Sequence, residues 1–183
     1  MQIRVKDLPD RQLFDLVTHA VALARATACK ILVNGRSDIA LTAGAHGVHL
    51  PSHALRVRDL RPFLPGGFLV GVSAHSICEA RQAQFEGADY VLLGPIFPTP
   101  SKLAFGRPLG LDYLRLACRR VSVPILAVGG MRVELFDAVL EAKAAGVAGI
   151  SLFQNNLRSW IQYIKTKNPR NPRNQRNPRN EKT

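Results

Sequence analysis

A chain of 183 residues is long enough for one domain with a sizeable core and too short for two ordinary ones. Hydrophobic residues at 46% and charged residues at 21% are ordinary for a soluble globular protein, and no apolar run reaches the roughly 18 residues that span a bilayer. The formal net charge of +12 resembles a nucleic-acid signal, but Lys165 to Thr183 holds seven Lys and Arg against one Glu, half of the whole excess.

In chain order, short β-rich runs alternate with stretches of helical spacing. QIRVK (Gln2 to Lys6) comes first and sets Gln2, Arg4 and Lys6 on one face. Two cations and an amide projecting into an interior require an anion, for which a diphosphate is the obvious choice. A solvated edge strand or an internal salt bridge satisfies the same pattern. LFDLVTHAVALA follows, with Leu13, Leu16, Val17, Ala20, Val21 and Ala24 on one helical stripe. The next runs are KILVN (Lys30 to Asn34), GVHL (Gly47 to Leu50) and FLVGVS (Phe68 to Ser73). His49 lies inside a strand and reads as a core or supporting residue, whereas His75, directly after a strand, is placed to meet a ligand.

SICEARQAQFEGA is the next helical stretch, and DYVLLG (Asp89 to Gly94) the fifth run. It leads into GPIFPTPSK, where Thr99, Ser101 and Lys102 supply two hydroxyls and an ammonium for phosphate oxygens. After the helical GLDYLRLACRRV, the run PILAVGG (Pro124 to Gly130) ends in Gly129 and Gly130. Without Cβ atoms there, backbone N–H groups can approach an oxyanion, although a tight turn uses glycine equally well. VELFDAVLEAKAAG is the last helical pattern, and its Gly146 reads as the residue just past a helix end. VAGISLF (Val147 to Phe153) is the seventh run, with a helix expected to start near Gln154 to Asn156.

Strand–helix alternation means parallel strands joined by right-handed crossovers. Polar and glycine-rich residues follow nearly every strand, and the strands are short, so a TIM-type (β/α) barrel is predicted over an open sheet. A closed barrel takes eight strands and seven runs are present; the first βα unit is expected to be the absent one. The domain is expected to occupy residues 1–164. Residues 165–183, a repeat of Asn, Pro and Arg without apolar or aromatic residues, read as a disordered tail whose only hold on RNA or anionic lipid is screened charge. Cys29, Cys78 and Cys118 lack metal or disulfide spacing and are expected to be buried thiols in a reducing cytoplasm.

Eight segments in register resemble the thiamine phosphate synthase/TenI superfamily: QIRVKD with DRQL, LVNGRSDIAL, GAHGVHLPS, GVSAHSICEA, GADYVLLGPIFPTPSK, PLGLDYLRL, VPILAVGGM and AGVAGI. They cover nearly all of the chain from Gln2 to about Phe153. The resemblance implies a thiamine-biosynthetic transferase that couples hydroxymethylpyrimidine diphosphate to a thiazole phosphate and releases pyrophosphate. It further implies that Gln2, Arg4, Lys6 and Asn34 bind the diphosphate, that Thr99, Ser101, Gly129 and Gly130 hold the thiazole phosphate, and that Ser73 and Lys102 are catalytic. Magnesium serves the family, but its two carboxylate positions are Gly35 and Ala54 here, and a hard cation needs oxygen ligands. Asp38, a turn onward, is expected to cap its helix or pair with Arg36.

N-G-R and L-P-S resemble instead the TenI branch of metal-independent thiazole tautomerases, whose catalytic histidine position is Pro95 here. Three outcomes therefore stand at this level: a synthase, a tautomerase, or a phosphate-binding homologue without turnover. No membrane partner is expected.

Overall fold

The computed structural model describes residues 1–5, 7–99, 107–155, 158, 159, 162, 163 and 166. Seven strands occur where the β-rich runs predict them: β1 (Gln2–Ile3), β2 (Leu32–Asn34), β3 (Gly47–Leu50), β4 (Leu69–Ala74), β5 (Tyr90–Leu93), β6 (Ile125–Val128) and β7 (Gly146–Ala148). They alternate with α1 (Asp10–Ala24), α2 (Ser37–Thr42), α3 (Val57–Leu60), α4 (Ile77–Phe85), α5 (Gly110–Arg120), α6 (Phe136–Glu141) and α7 (Ser151–Asn155). All strands are parallel and stand in sequence order, each paired to the next. Among the described residues no ladder joins β7 to β1, so the sheet is a curled half-barrel with helices on its outer side.

The two faces of the sheet separate by parity. Ile3 stands opposite Val33, Val33 opposite Val48 and Val48 opposite Val70, and this row continues through Val91, Leu93, Ile125 and Ala127. These side chains join Leu13, Val17, Ala40, Ala80, Leu114 and Phe136 of the helices in one buried cluster. β-branched and small residues suit that position, because a pleated strand packs closely against a helix ridge only when its side chains are compact. The alternate row, facing the concave side, is Asn34, His49, Gly71 and Tyr90 in register, with Ser73 and Leu92 one step along.

Several local expectations change. Strand β1 is shorter than QIRVK, its pairing with β2 running only over Gln2–Leu32 and Ile3–Val33. Leu16 on the predicted stripe of α1 is 41% exposed, while Leu13, Val17 and Ala24 are buried. Gly146 does not follow a helix: α6 stops at Glu141, Lys143 makes the left-handed turn (φ 69°), and Gly146 opens β7. The last run stops being a strand at Ala148, and α7 already begins at Ser151, which turns Leu152 into the core. Cys29 and Cys78 are exposed and only Cys118 is half-buried, contrary to the expected buried thiols. Burial pushes the Cys118 thiol pKa upward. No described helix is long and apolar enough to cross a membrane. Residues 167–183 of the low-complexity tail, with Lys165, lie outside the described residues.

Candidate functional site

Every crossover brings the chain back to the same side, so the C-terminal ends of all seven strands face one mouth. Arg4 lies just past β1, and its Nε donates to Asn34 Oδ1 at 3.1 Å across the β1–β2 boundary. Asn34 Nδ2 donates in turn to the His49 carbonyl at 3.3 Å. The Gly35 N–H donates to that carbonyl as well, at 2.9 Å. Arg4 is exposed and pairs with no carboxylate among the described residues. A guanidinium held by a neutral amide keeps its charge available for an anion. Gln2 stands on the same concave parity, opposite Leu32. Lys6 lies outside the described residues.

A second set of contacts runs across β3, β4 and β5. His49 is 2% exposed, and its ring is bonded at both nitrogens: Nδ1 lies 3.1 Å from the Tyr90 hydroxyl and Nε2 lies 2.8 Å from Ser73 Oγ. Burial lowers the His49 pKa to about 4 and raises that of Tyr90 to about 12, so both are neutral at physiological pH. The Tyr90 ring crosses β4 at Gly71, where a Cβ would overlap the ring itself. A glycine inside a strand thus marks the close approach of another group. Tyr90 is absent from the sequence-derived candidates and His49 figures there only as a supporting residue; Gly71 in the middle of FLVGVS is the signal that points to such a crossing.

The other half of the mouth is built from backbone. Gly129 and Gly130 follow β6 with φ of 94° and 64°, both in the left-handed region. The segment after β5 folds over them, with Ile96 N–H donating to Val128 O at 2.9 Å and Phe97 N–H to Gly129 O at 3.1 Å. A Cβ on Gly129 would come within 2.6 Å of Pro95 Cβ, and one on Gly130 within 2.7 Å of the Phe97 carbonyl. The glycine pair is therefore required by the packing of this segment as well as open to any phosphate role. Thr99, half-buried, continues the same segment one residue past Pro98; Ser101 and Lys102 lie outside the described residues. His75 stands between the two halves, with its ring Nδ1 2.6 Å from the Gly94 carbonyl and its backbone N–H donating to Glu79 at 2.7 Å.

The positions assigned to metal carboxylates do not supply them. Gly35 has φ of 72° and ample room, its hypothetical Cβ coming no closer than 4.0 Å to Pro51, so backbone conformation limits a replacement there. Ala54 is half-buried against the core. Asp38 and Asp10 are engaged by Arg36, which forks onto Asp38 at 3.0 and 2.7 Å and reaches Asp10 at 2.5 Å. The Arg36 guanidinium holds both carboxyl groups below their ordinary pKa. Asp38 thus pairs as its spacing predicts. Among the described residues no three His, Cys, Asp or Glu side chains are grouped to hold a metal. The described residues therefore do not fit a protein-held magnesium ion.

Comparison with known proteins agrees with this architecture. A family model described as thiamine monophosphate synthase matches residues 1–153. The thiamine-phosphate synthase of Methanoculleus marisnigri is 43% identical over 154 residues, spanning 82% of this chain and 72% of that protein. The thiamine-phosphate synthase of Moorella thermoacetica is 40% identical over 151 residues, with 82% and 72% covered. Among solved structures, the thiamine phosphate pyrophosphorylase from Pyrococcus furiosus superposes with a TM-score of 0.79 at 27% identity, over 90% of this chain and 82% of that one.

Proposed function

The chain belongs to the thiamine monophosphate synthase family, and from that membership we propose that it joins a pyrimidine diphosphate to a thiazole phosphate at the mouth of its half-barrel. Family substrates are small phosphorylated pyrimidine and thiazole compounds. In the proposed reaction the bond between the pyrimidine methylene carbon and the diphosphate oxygen breaks, and pyrophosphate leaves with the electron pair. The lone pair of the thiazole nitrogen then forms the new carbon–nitrogen bond, giving thiamine phosphate.

The observation that carries this reading is Arg4, a cation at the mouth whose one side-chain bond among the described residues is to the neutral Asn34 amide. Charge develops on the leaving diphosphate, and a preorganised cation acts where that charge appears. On this reading Gln2, Arg4, Lys6 and Asn34 take the diphosphate, and Ser73 and Lys102 assist its departure. Thr99, Ser101, Gly129 and Gly130 hold the thiazole phosphate. The family is generally magnesium-dependent, but Gly35 and Ala54 offer the metal no carboxylate.

Incubation with both substrates, with thiamine phosphate and pyrophosphate quantified together, tests the proposal. Arg4→Gln should lower kcat/KM about 100-fold or more, the range found when one preorganised electrostatic contact is removed. Equal turnover by Arg4→Gln and the unaltered chain would overturn the role given to Arg4. The missing carboxylates favour a second reading, a homologue that binds without turnover. Thiazole phosphate binding with no thiamine phosphate formed would establish it.

A further inference from the structure

We propose that Tyr90 and His49 are positioning residues that fix the direction of the Ser73 hydroxyl, so that Ser73 faces the mouth as a hydrogen-bond donor. The inference rests on the reading above for what Ser73 meets, but its geometry stands on the three side chains alone.

A neutral imidazole carries one proton, so one ring nitrogen donates and the other accepts. Two arrangements join Tyr90, His49 and Ser73. In the first, the Tyr90 hydroxyl donates to Nδ1 and Nε2–H donates to Ser73 Oγ. In the second, Nδ1–H donates to the Tyr90 oxygen and Ser73 donates to Nε2. Tyr90 decides between them. Its hydroxyl has His49 Nδ1 as its one hydrogen-bond partner among the described residues, at 3.1 Å. In the second arrangement the phenolic proton would have no acceptor among the described residues, an unfavourable outcome for a half-buried tyrosine that opens β5 at the end away from the mouth. The first arrangement leaves no side-chain proton of the set without a partner except that of Ser73.

Ser73 has no other hydrogen-bond partner among the described residues. With its oxygen already accepting from Nε2–H at 2.8 Å, its own proton is turned toward the mouth. An anion such as a leaving diphosphate needs a donor there, and the second arrangement would offer it a lone pair instead. Gly71 belongs to the same device, since its missing side chain lets the Tyr90 ring reach across β4 to His49.

Two measurements test the relay. Nitrogen-15 NMR of the full chain labelled at histidine, with His49 assigned by its loss in His49→Gln, should find the proton on Nε2. A proton on Nδ1 would overturn the relay whatever the chain catalyses. Titration with inorganic pyrophosphate then reads Ser73 directly, and Ser73→Ala should weaken binding about tenfold or more, as loss of a donor to a charged group does. Tyr90→Phe keeps the ring over Gly71 and removes only the hydroxyl. It should weaken pyrophosphate severalfold when Ser73 is present and have no effect in a Ser73→Ala background. The same loss in both backgrounds would make Tyr90 a packing residue and overturn the proposal. An Nε2–H tautomer in a chain that binds no pyrophosphate would uphold the relay while removing the substrate assignment.

Discussion

Neighbouring residues on one strand of this sheet live in different chemistries. On β5, Val91 is fully buried among helix side chains, whereas Leu92, the next residue, is half-buried on the concave side. The outer row asks only for compact apolar volume and is filled by valine, isoleucine, leucine and alanine. The inner row holds Asn34, His49, Gly71, Ser73 and Tyr90, each fixed by a particular partner. The same backbone therefore carries stability on one side and site chemistry on the other, and the two have different tolerances to substitution.

The sharpest way to break that contrast is to place the same charge on both faces. Val91→Asp would bury an unpaired carboxylate and should cost more than about 4 kcal/mol, enough to prevent folding of a domain of ordinary stability. Leu92→Asp should cost less than half as much, because its side chain is only half-buried. Equal urea midpoints for the two variants would contradict the separation of faces.

Next in size is the pH response of the inner row. His49 titrates at about 4 in the fold, against 6.5 for an ordinary histidine. Between those values the unfolded chain takes up a proton that the folded chain does not, so stability should fall as pH drops from 6.5 toward 4 and level off below. The full change is about 3 kcal/mol. Asp10 and Asp38, whose pKa values are lowered from 3.8 by Arg36, respond only below that window. His49→Gln should flatten the slope of urea stability against pH between 6.5 and 4, and an unchanged slope would assign it to other groups.

Smallest is Gly71→Ala. One methyl group would push the Tyr90 ring off β4 and should cost about 1–3 kcal/mol. Its distinguishing mark is a shifted His49 ring signal in NMR, which a mere loss of packing elsewhere would not give.

Much of this was legible in the chain. Short β-rich runs between helical stretches located all seven strands, because the outer row concentrates valine, isoleucine and leucine there. Arg4 was legible as a candidate from its parity with Gln2 and Lys6, and Asn34 only through the family resemblance. The His49 relay was not, since its partners are 24 and 41 residues away and meet only through the sheet register. Helix ends were read less well. Gly146 looked like a terminator, but the turn fell to Lys143, whose left-handed φ no propensity would have suggested.

The notch at Gly71 has a further consequence for how this sequence can vary. Position 71 and position 90 behave as one character spread over two strands. Any larger residue at 71 is penalised while tyrosine occupies 90, and loss of the tyrosine removes the reason for the glycine. Each single step from this pair is penalised, so drift at these two sites should be rare and should come in pairs. The least conspicuous residue of the concave face thereby restrains the evolution of the most elaborate one.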